Sequence, residues 1–307
     1  MNLSIIIVNY KTPELTLRCI KSIFDTVESI DFEIIVVDNN SQDNSKEIIK
    51  NNFSEIIWIN NFKNEGFGRA NNIGIKRAKG CYILLLNSDI IVLQNTIEKS
   101  FHYITQNKKN GVLGCQLINE DGSIQKSTYF YIAEYKGLLE KNLFYSYLIK
   151  NKHSVRGIMG AFMLIPKRVL QEVGLFDPDF FMYSEEMELC YRIAAKGYRI
   201  IYFDKEKVIH IHGASSDNKI LAIRQNYLSN ALLFLKVRGY WGYFLYHFIF
   251  ILNNLFNFIG MWFVNKNYRK NYWQEQKNYF SNFVYYIKIP IFFTRKQGNG
   301  TRQLRRN

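Results

Sequence analysis

Cysteine is scarce and poorly placed for either of its structural uses. Cys19, Cys81, Cys115 and Cys190 stand far apart with no Cys-x-x-Cys pair, which excludes a cysteine-ligated zinc site and a disulfide framework. They read as small buried apolar residues of a reducing compartment. A basic leader with a cleavage site is also missing, because the chain runs from its first residues straight into an apolar stretch at 3–8. The expectation is a cytoplasmic protein without a signal peptide. Acids are outnumbered: 26 Asp and Glu against 40 Lys and Arg leave a formal charge of +14, which suits nucleotide phosphates, nucleic acid or an acidic lipid surface. The basic residues are spread rather than gathered on one helix, and no nucleic-acid-reading motif accompanies them, so nucleic acid is not expected as a partner. Extended disorder is excluded as well, since 48% hydrophobic and 21% charged residues are ordinary for a globular protein.

What is present is an alternating pattern. A chain of 307 residues accommodates one large α/β domain of roughly 200 to 250 residues with something smaller attached. Short apolar runs at 3–9, 32–38, 56–60 and 81–87 predict strands, and helical spacing at 13–25, 46–51 and 68–79 predicts helices between them, the first opened by Thr12 as N-cap and Pro13 at the first helical position. Such alternation implies a mostly parallel sheet with helices on both faces, whose ligand lies beyond the carboxyl ends of the strands. After Gly111 the pattern loosens into strands at 112–118, 157–165 and 199–203 and helices at 167–172 and 186–196.

From about residue 225 the composition turns aromatic, Asn-rich and Lys-rich, which places a boundary between a domain at 1–224 and a helical C-terminal region at 225–307. Residues 239–264 contain no Lys, Arg, Asp or Glu and are long enough to cross a bilayer. His247, Asn254 and Asn257 fall on one helical face, however, with Trp241 and Trp262 near the ends and Lys266, Arg269 and Lys270 beyond. That arrangement fits an interfacial amphipathic helix better than a span. The basic tail at 295–307 suits anionic lipid.

Polar residues cluster where the predicted strands end. Asn9-Tyr10 follows the first strand, and Asp38-Asn39-Asn40-Ser41 follows the second, either as an Asx turn or with Asp38 accepting from a base N–H or a ribose hydroxyl. Asn64-Glu65-Gly66-Phe67-Gly68-Arg69-Ala70-Asn71-Asn72 joins a strand to a helix; its glycines permit close backbone approach and its helix start offers N–H groups to an anion. Asn87-Ser88-Asp89 ends an apolar strand in a carboxylate, which suits a divalent cation sharing its shell with a diphosphate, or a helix cap. Glu185, Glu186 and Glu188 open a helix after the aromatic run Phe176, Phe180, Phe181, Tyr183; they are dipole complements or include a general base. Gly160 sits in the strand region before them, and His210 and His212 share one face of a strand-like run, either structurally or as metal ligands.

In this order the motifs resemble those of the bacterial family 2 glycosyltransferases of the rhamnosyltransferase-like group, from about Ser4 to Ser216. The opening Ile5-Ile6-Ile7-Val8-Asn9-Tyr10, the Asp38-Asn39-Asn40-Ser41 segment, the Asn64–Gly74 loop and Leu86-Asn87-Ser88-Asp89 carry the likeness, together with Gly174-Leu175-Phe176-Asp177 and Glu185-Glu186-Met187-Glu188-Leu189-Cys190. The resemblance implies a GT-A fold, a Rossmann-like nucleotide-binding mixed sheet with helices on both faces, to which the composition adds the helical, aromatic-rich C-terminal appendage. It also implies an inverting, metal-dependent transfer of a sugar from a nucleoside-diphosphate donor, UDP or dTDP, to a glycan or lipid-linked acceptor in cell-surface polysaccharide or lipid-linked glycan assembly. Asp38 would contact the base and Asp89 would hold Mn²⁺ or Mg²⁺, with His210 similar to the third metal ligand. Glu186 takes the place of the catalytic Asp. Because Glu stands where Asp is commoner, the base remains open between Glu185 and Glu186, and Ser88 replaces a proline. No Gln-x-x-Arg-Trp sequence, the mark of processive synthases, is present, so one sugar per acceptor is expected. A sugar nucleotidyltransferase would need a Gly-rich basic amino-terminal loop that is absent, and a catalytically dead scaffold would not keep the full set of acids. The enzyme is expected in the cytoplasm, peripheral on the inner face of the membrane.

Overall fold

The computed structural model describes residues 1–134, 155–211 and 219–260, with the backbone alone at 219, 220, 223, 224 and 253–260. They form two compact units, one of residues 1–129, 155–178 and 185–211 and one of residues 130–134, 179–184 and 219–260.

The first unit is built on an eight-stranded mixed sheet. Its strands are β1 (Leu3–Asn9), β2 (Phe32–Asp38), β3 (Ile57–Asn60), β4 (Tyr82–Asn87), β5 (Ile90–Val92), β6 (Asn110–Ile118), β9 (Phe162–Pro166) and β10 (Arg199–His210), in the spatial order β3-β2-β1-β4-β9-β6-β10-β5. A separate two-stranded ribbon pairs β7 (Thr128–Tyr129) with β8 (Gly157–Ile158). Strands β1 to β4 run parallel, β9 runs antiparallel to both neighbours, and β10 runs parallel to β6. The helices are α1 (Pro13–Thr26), α2 (Ser45–Asn52), α3 (Phe67–Arg77), α4 (Thr96–Thr105), α5 (Lys167–Val173) and α6 (Glu185–Ala195).

Both faces of the sheet are covered, and β1 shows why. Ile5 and Ile7 share one apolar cluster with Cys19, Ile20 and Ile23 of α1. Ile6, alternating to the other face, is met by α3 at Gly74, where an added Cβ would lie 2.5 Å from Ile6 Cγ2. A strand buried on both sides must be apolar throughout, as Ser4-Ile5-Ile6-Ile7 nearly is, and Ser4 is accommodated by donating its hydroxyl to Glu33 Oε1 at 2.6 Å. Between β1 and β4 the strand order reverses, so the chain leaves these neighbouring carboxyl ends in opposite directions and opens a crevice there.

Three local expectations change. Thr12 caps α1 without a side-chain hydrogen bond to it, because its hydroxyl faces Asn9 Oδ1 at 3.3 Å and Ser88 Oγ at 3.1 Å instead. The predicted strand at 157–165 is two, β8 and β9, separated at Met159-Gly160-Ala161. Cys81 is exposed, while the other cysteines are buried.

The second unit is dominated by α7 (Lys219–Gly260), which is broken at Gly239, whose φ of 69° lies where glycine alone is unstrained. The two arms fold against each other through aromatic side chains. Tyr227 and Phe234 of the first arm meet Tyr246 and Phe250 of the second, and Tyr227 shares a hydrogen bond of 2.6 Å with His247 Nδ1. His247 therefore belongs to the inner, buried face, and burial lowers its pKa to about 4. Among the described residues no helix is long and apolar enough to cross a membrane. Trp262, Lys266, Arg269, Lys270, the tail at 295–307 and the side chains of Asn254 and Asn257 lie outside the described residues.

Candidate functional site

The carboxyl ends of β1, β2 and β4 are in register, Asn9 opposite Asp38 and Val8 opposite Asn87, and their polar residues meet at one sheet edge. Asn9 is fully buried. Its Nδ2 donates to Asp38 Oδ1 at 2.8 Å and to Ser41 Oγ at 3.1 Å, while its Oδ1 accepts from Thr16 at 2.8 Å. Asp38 is gripped further by Ser41, whose hydroxyl and backbone N–H reach Oδ1 at 2.5 Å and Oδ2 at 3.1 Å. Two turns allow this, with Lys11 at positive φ after β1 and Asn40 and Gln42 at positive φ after β2. Asn9 thus acts on the site through Asp38, and Tyr10, half-buried beside it, carries the Lys11 ammonium 5.6 Å from its ring centre.

Asn39 turns away from the crevice to organise the next loop, donating to Asn64 Oδ1 and Gly66 O and accepting from Asn61 and the Glu65 N–H. Gly66, at φ 81°, turns the chain into α3. The space beside Gly68 is taken by the protein itself: an added Cβ would lie 3.1 Å from Phe176 Cβ and 3.5 Å from Glu185 Cγ. Arg69 donates to Pro178 O at 2.5 Å and pairs with Glu65, and Asn72 forms a two-way bond with the backbone of Phe176 at 2.8 and 3.0 Å. These residues fasten the 174–178 segment over α3, immediately ahead of the acids of α6.

Asp89, in the turn between β4 and β5, and His210, at the end of β10, come together. The Asp89 Oδ1 to His210 Nε2 distance is 3.5 Å, and the Ile211 N–H donates to Asp89 O at 2.9 Å. Gln125 fixes the ring: its Nε2 protons go to His210 O at 2.7 Å and Asn119 Oδ1 at 2.5 Å, so its Oε1 faces His210 Nδ1 at 2.9 Å. Nδ1 therefore donates to Gln125, and Nε2 is the ring nitrogen that faces the Asp89 carboxylate. A carboxylate oxygen and an imidazole nitrogen so placed, with the other ring nitrogen tethered, form a donor set that fits a divalent ion with open positions for diphosphate and water. No cluster of three or more potential ligands exists among the described residues, and His212 lies outside them. Asn87 bonds through its N–H to Ala161 O at 3.1 Å, next to Gly160.

Gly160 leads to the acids. An added Cβ there would meet Phe67 at 3.2 Å and Glu186 Cβ at 3.9 Å, so α6 begins against this edge. The chain enters α6 through Tyr183 and Ser184, both left-handed at φ 69° and 66°, a local strain that larger contacts must hold. Glu185 and Glu186 are buried at the helix amino end. Tyr129 donates its hydroxyl to Glu186 Oε1 at 2.8 Å, whereas Glu185 Oε2 has no hydrogen-bond partner among the described residues. Burial raises the pKa of both carboxyls. For Glu185 the charge of Glu186 adds to burial and drives it well above the usual range, while for Glu186 the Tyr129 hydrogen bond pulls the other way. Glu188 differs: Arg192 binds both its oxygens at 2.7 Å and also donates to the backbone oxygens of residues 173, 174 and 175. Tyr129, Gln125 and Ser41 were not singled out as site residues from the sequence.

Comparison with known proteins agrees with this geometry. Residues 4–174 match the model described as glycosyl transferase family 2. The chain is 26% identical over 249 residues to the low-salt glycan biosynthesis hexosyltransferase Agl10 of Haloferax volcanii, covering 76% of this chain and 77% of that protein. It is 30% identical over 182 residues to the poly-beta-1,6-N-acetyl-D-glucosamine synthase of Staphylococcus aureus, covering 55% of this chain and 40% of the synthase. Among solved structures, the mannosyltransferase PcManGT of Pyrobaculum calidifontis, in complex with GDP-Man and Mn²⁺, superposes with a TM-score of 0.56 at 16% identity, over 76% of this chain and 63% of that one. The mixed sheet is thus that of the GT-A fold.

Proposed function

This chain belongs to glycosyl transferase family 2, and on that premise we propose that it transfers a single sugar, with inversion, from a nucleoside-diphosphate sugar to an acceptor hydroxyl. It is a glycosyltransferase. One observation carries the mechanism: two adjacent buried carboxyls whose surroundings separate them, Glu186 favoured as the anion by the Tyr129 hydroxyl and Glu185 favoured as the acid by its unpartnered burial.

Glu186 takes the proton of the acceptor hydroxyl while that oxygen bonds to the anomeric carbon. The bond from the anomeric carbon to the diphosphate oxygen breaks, its electron pair leaves with the nucleoside diphosphate, and attack opposite the departing group inverts the centre. Asp38, aimed by Asn9 and Ser41, holds the nucleoside. Asp89 and His210 would hold Mn²⁺ or Mg²⁺, which when bound neutralises charge on the diphosphate. Tyr10, Asn64, Asn87 and Gly160 complete the donor surroundings, with Asn39, Gly66, Gly68, Arg69 and Asn72 shaping the loops that present them.

UDP and dTDP are the proposed nucleotides, with GDP as the competitor that the Pyrobaculum neighbour introduces. Relatives named for glycan biosynthesis and for a poly-N-acetylglucosamine support a glycan or lipid-linked acceptor in surface polysaccharide assembly. We place the work at the cytoplasmic face of the membrane, catalysis in residues 1–224 and attachment in residues 225–307. Calorimetric titration with UDP, dTDP and GDP, with and without Mn²⁺ and on Asp89→Ala, tests the donor site. Metal-dependent binding of one nucleotide that the variant loses is expected; binding of none, with or without metal, would sink the reading.

A further inference from the structure

The second arm of α7 shows the solvent an unusual face. Trp241 is 86% exposed, Phe244 60%, Phe248 58%, Leu245 42% and Leu252 36%. At about 100° per residue these five positions fall within a single stripe roughly 100° wide. Tyr243, Tyr246, His247 and Phe250 fall on the opposite side, which the first arm covers. The polarity expected of a solvated helix is therefore reversed. The histidine points inward and the large apolar groups outward, around a shallow depression of about 490 Å³ with Arg238 at its rim. An exposed apolar patch of this kind marks an interaction surface.

We propose that this stripe is a lipid-docking surface that inserts Trp241, Phe244, Leu245, Phe248 and Leu252 into the interface of an anionic membrane. Charge selects the occupant. No Lys, Arg, Asp or Glu lies within 239–264, yet Arg238 precedes this stretch, and residues 261–307 hold ten Lys and Arg against one Glu. That net +9 is most of the +14 of the whole chain, concentrated directly after the arm. Apolar and aromatic insertion beside a basic sequence is the combination that anionic lipid recognises, each element weak alone and effective together. A soluble acidic protein would satisfy the charge and leave no reason for a continuous apolar stripe with a tryptophan at its end. The inference deepens the proposed attachment role and rests on the glycosyl-transfer reading only for the lipid-linked acceptor.

The test is flotation of the full chain with phosphatidylglycerol-containing vesicles and with neutral phosphatidylcholine vesicles, beside the Trp241→Ser/Phe244→Ser/Phe248→Ser variant. Wild type is expected to float with the anionic vesicles and not the neutral ones, and the variant to bind at least about tenfold more weakly, with its thermal midpoint and nucleotide titration unchanged. Equal flotation of variant and wild type overturns the assignment, as does failure of wild type to bind anionic vesicles. A variant that turns a dimer into a monomer in sedimentation velocity while still floating gives the stripe to a second copy. A variant that loses thermal stability while still floating gives it to this chain's own residues. Nucleotide binding is read separately, so its failure would remove the donor site and leave the vesicle result standing.

Discussion

Tyr129 donates its phenolic hydroxyl to Oε1 of Glu186 at 2.8 Å across 57 residues of sequence, and that bond separates the two neighbouring acids of α6 chemically. Burial raises both carboxyls, but a hydrogen bond to the ionised form favours that form, so Glu186 lies below Glu185 in pKa. Removing the hydroxyl as Tyr129→Phe should raise the pKa of Glu186 further. The acidic limb of the kcat profile should then move to higher pH, by about one unit for each 1.4 kcal/mol the bond contributes. An unmoved limb would mean that Tyr129 does not act on the base.

The assignment between the two acids is open to direct measurement. Glu186→Gln should lower kcat by about 10² to 10⁴ while leaving nucleotide affinity within a few-fold, as expected for a lost general base. Glu185→Gln should retain most activity, because a neutral amide of the same size stands in for a carboxyl that burial favours in its neutral form. The reverse pattern would move the base by one residue.

Glu185 also ties stability to pH. Folding raises its pKa, so the native state holds that proton more tightly than the unfolded chain does. Its stabilising contribution is complete below the ordinary glutamate value and is lost as pH rises through the raised one. Glu185→Gln should match wild type in unfolding free energy at or below about pH 4, under the ordinary glutamate value, and exceed it near pH 8 by about 1 to 3 kcal/mol for a buried group relieved of an unsatisfied charge. A difference independent of pH would show that Glu185 stays in one protonation state.

The acids were legible because each stands at a break in a period: Asp38 and Asp89 close apolar strands, and Glu185 and Glu186 open a helix. Their supports were not. Tyr129 lies on a two-residue strand and Gln125 in a loop, and both matter only through partners 57 and 85 residues away. Helix α4 escaped for a related reason, since Ser100 occupies a core position, facing Cys115 Sγ at 3.2 Å, and dilutes the apolar spacing. In the same way, sequence presents Asn72 as a polar group near a site, and only the fold reveals that its side chain bonds to the backbone of Phe176.

Gln125 offers a test of the metal site that leaves both proposed ligands in place. Its Oε1 accepts from His210 Nδ1 and so turns Nε2 toward Asp89. Gln125→Leu removes that control. Mn²⁺-dependent nucleotide affinity should fall by about 10- to 100-fold, the usual effect of losing an outer partner, with metal-free affinity unchanged. Calorimetry with and without Mn²⁺ measures both, and an equal fall in each would point to damage of the loop.

Arg192 and Glu188 separate architecture from substrate contact. The guanidinium binds both carboxylate oxygens and spans the backbone oxygens of residues 173 to 175, which begin the segment that reaches Phe176 and Pro178. Arg192→Ala would strip those acceptors and leave Glu188, 7% exposed, as an unpaired buried charge. The expected loss is about 3 kcal/mol of unfolding free energy in urea. The Glu188→Ala/Arg192→Ala pair should lose less than the single variant, since no buried charge is then left alone. Nucleotide affinity, measured where each variant is fully folded, should stay near wild type. Should Glu188→Ala/Arg192→Ala abolish donor binding without unfolding, Glu188 would have to reach the substrate, and the salt bridge would be a resting arrangement that binding opens.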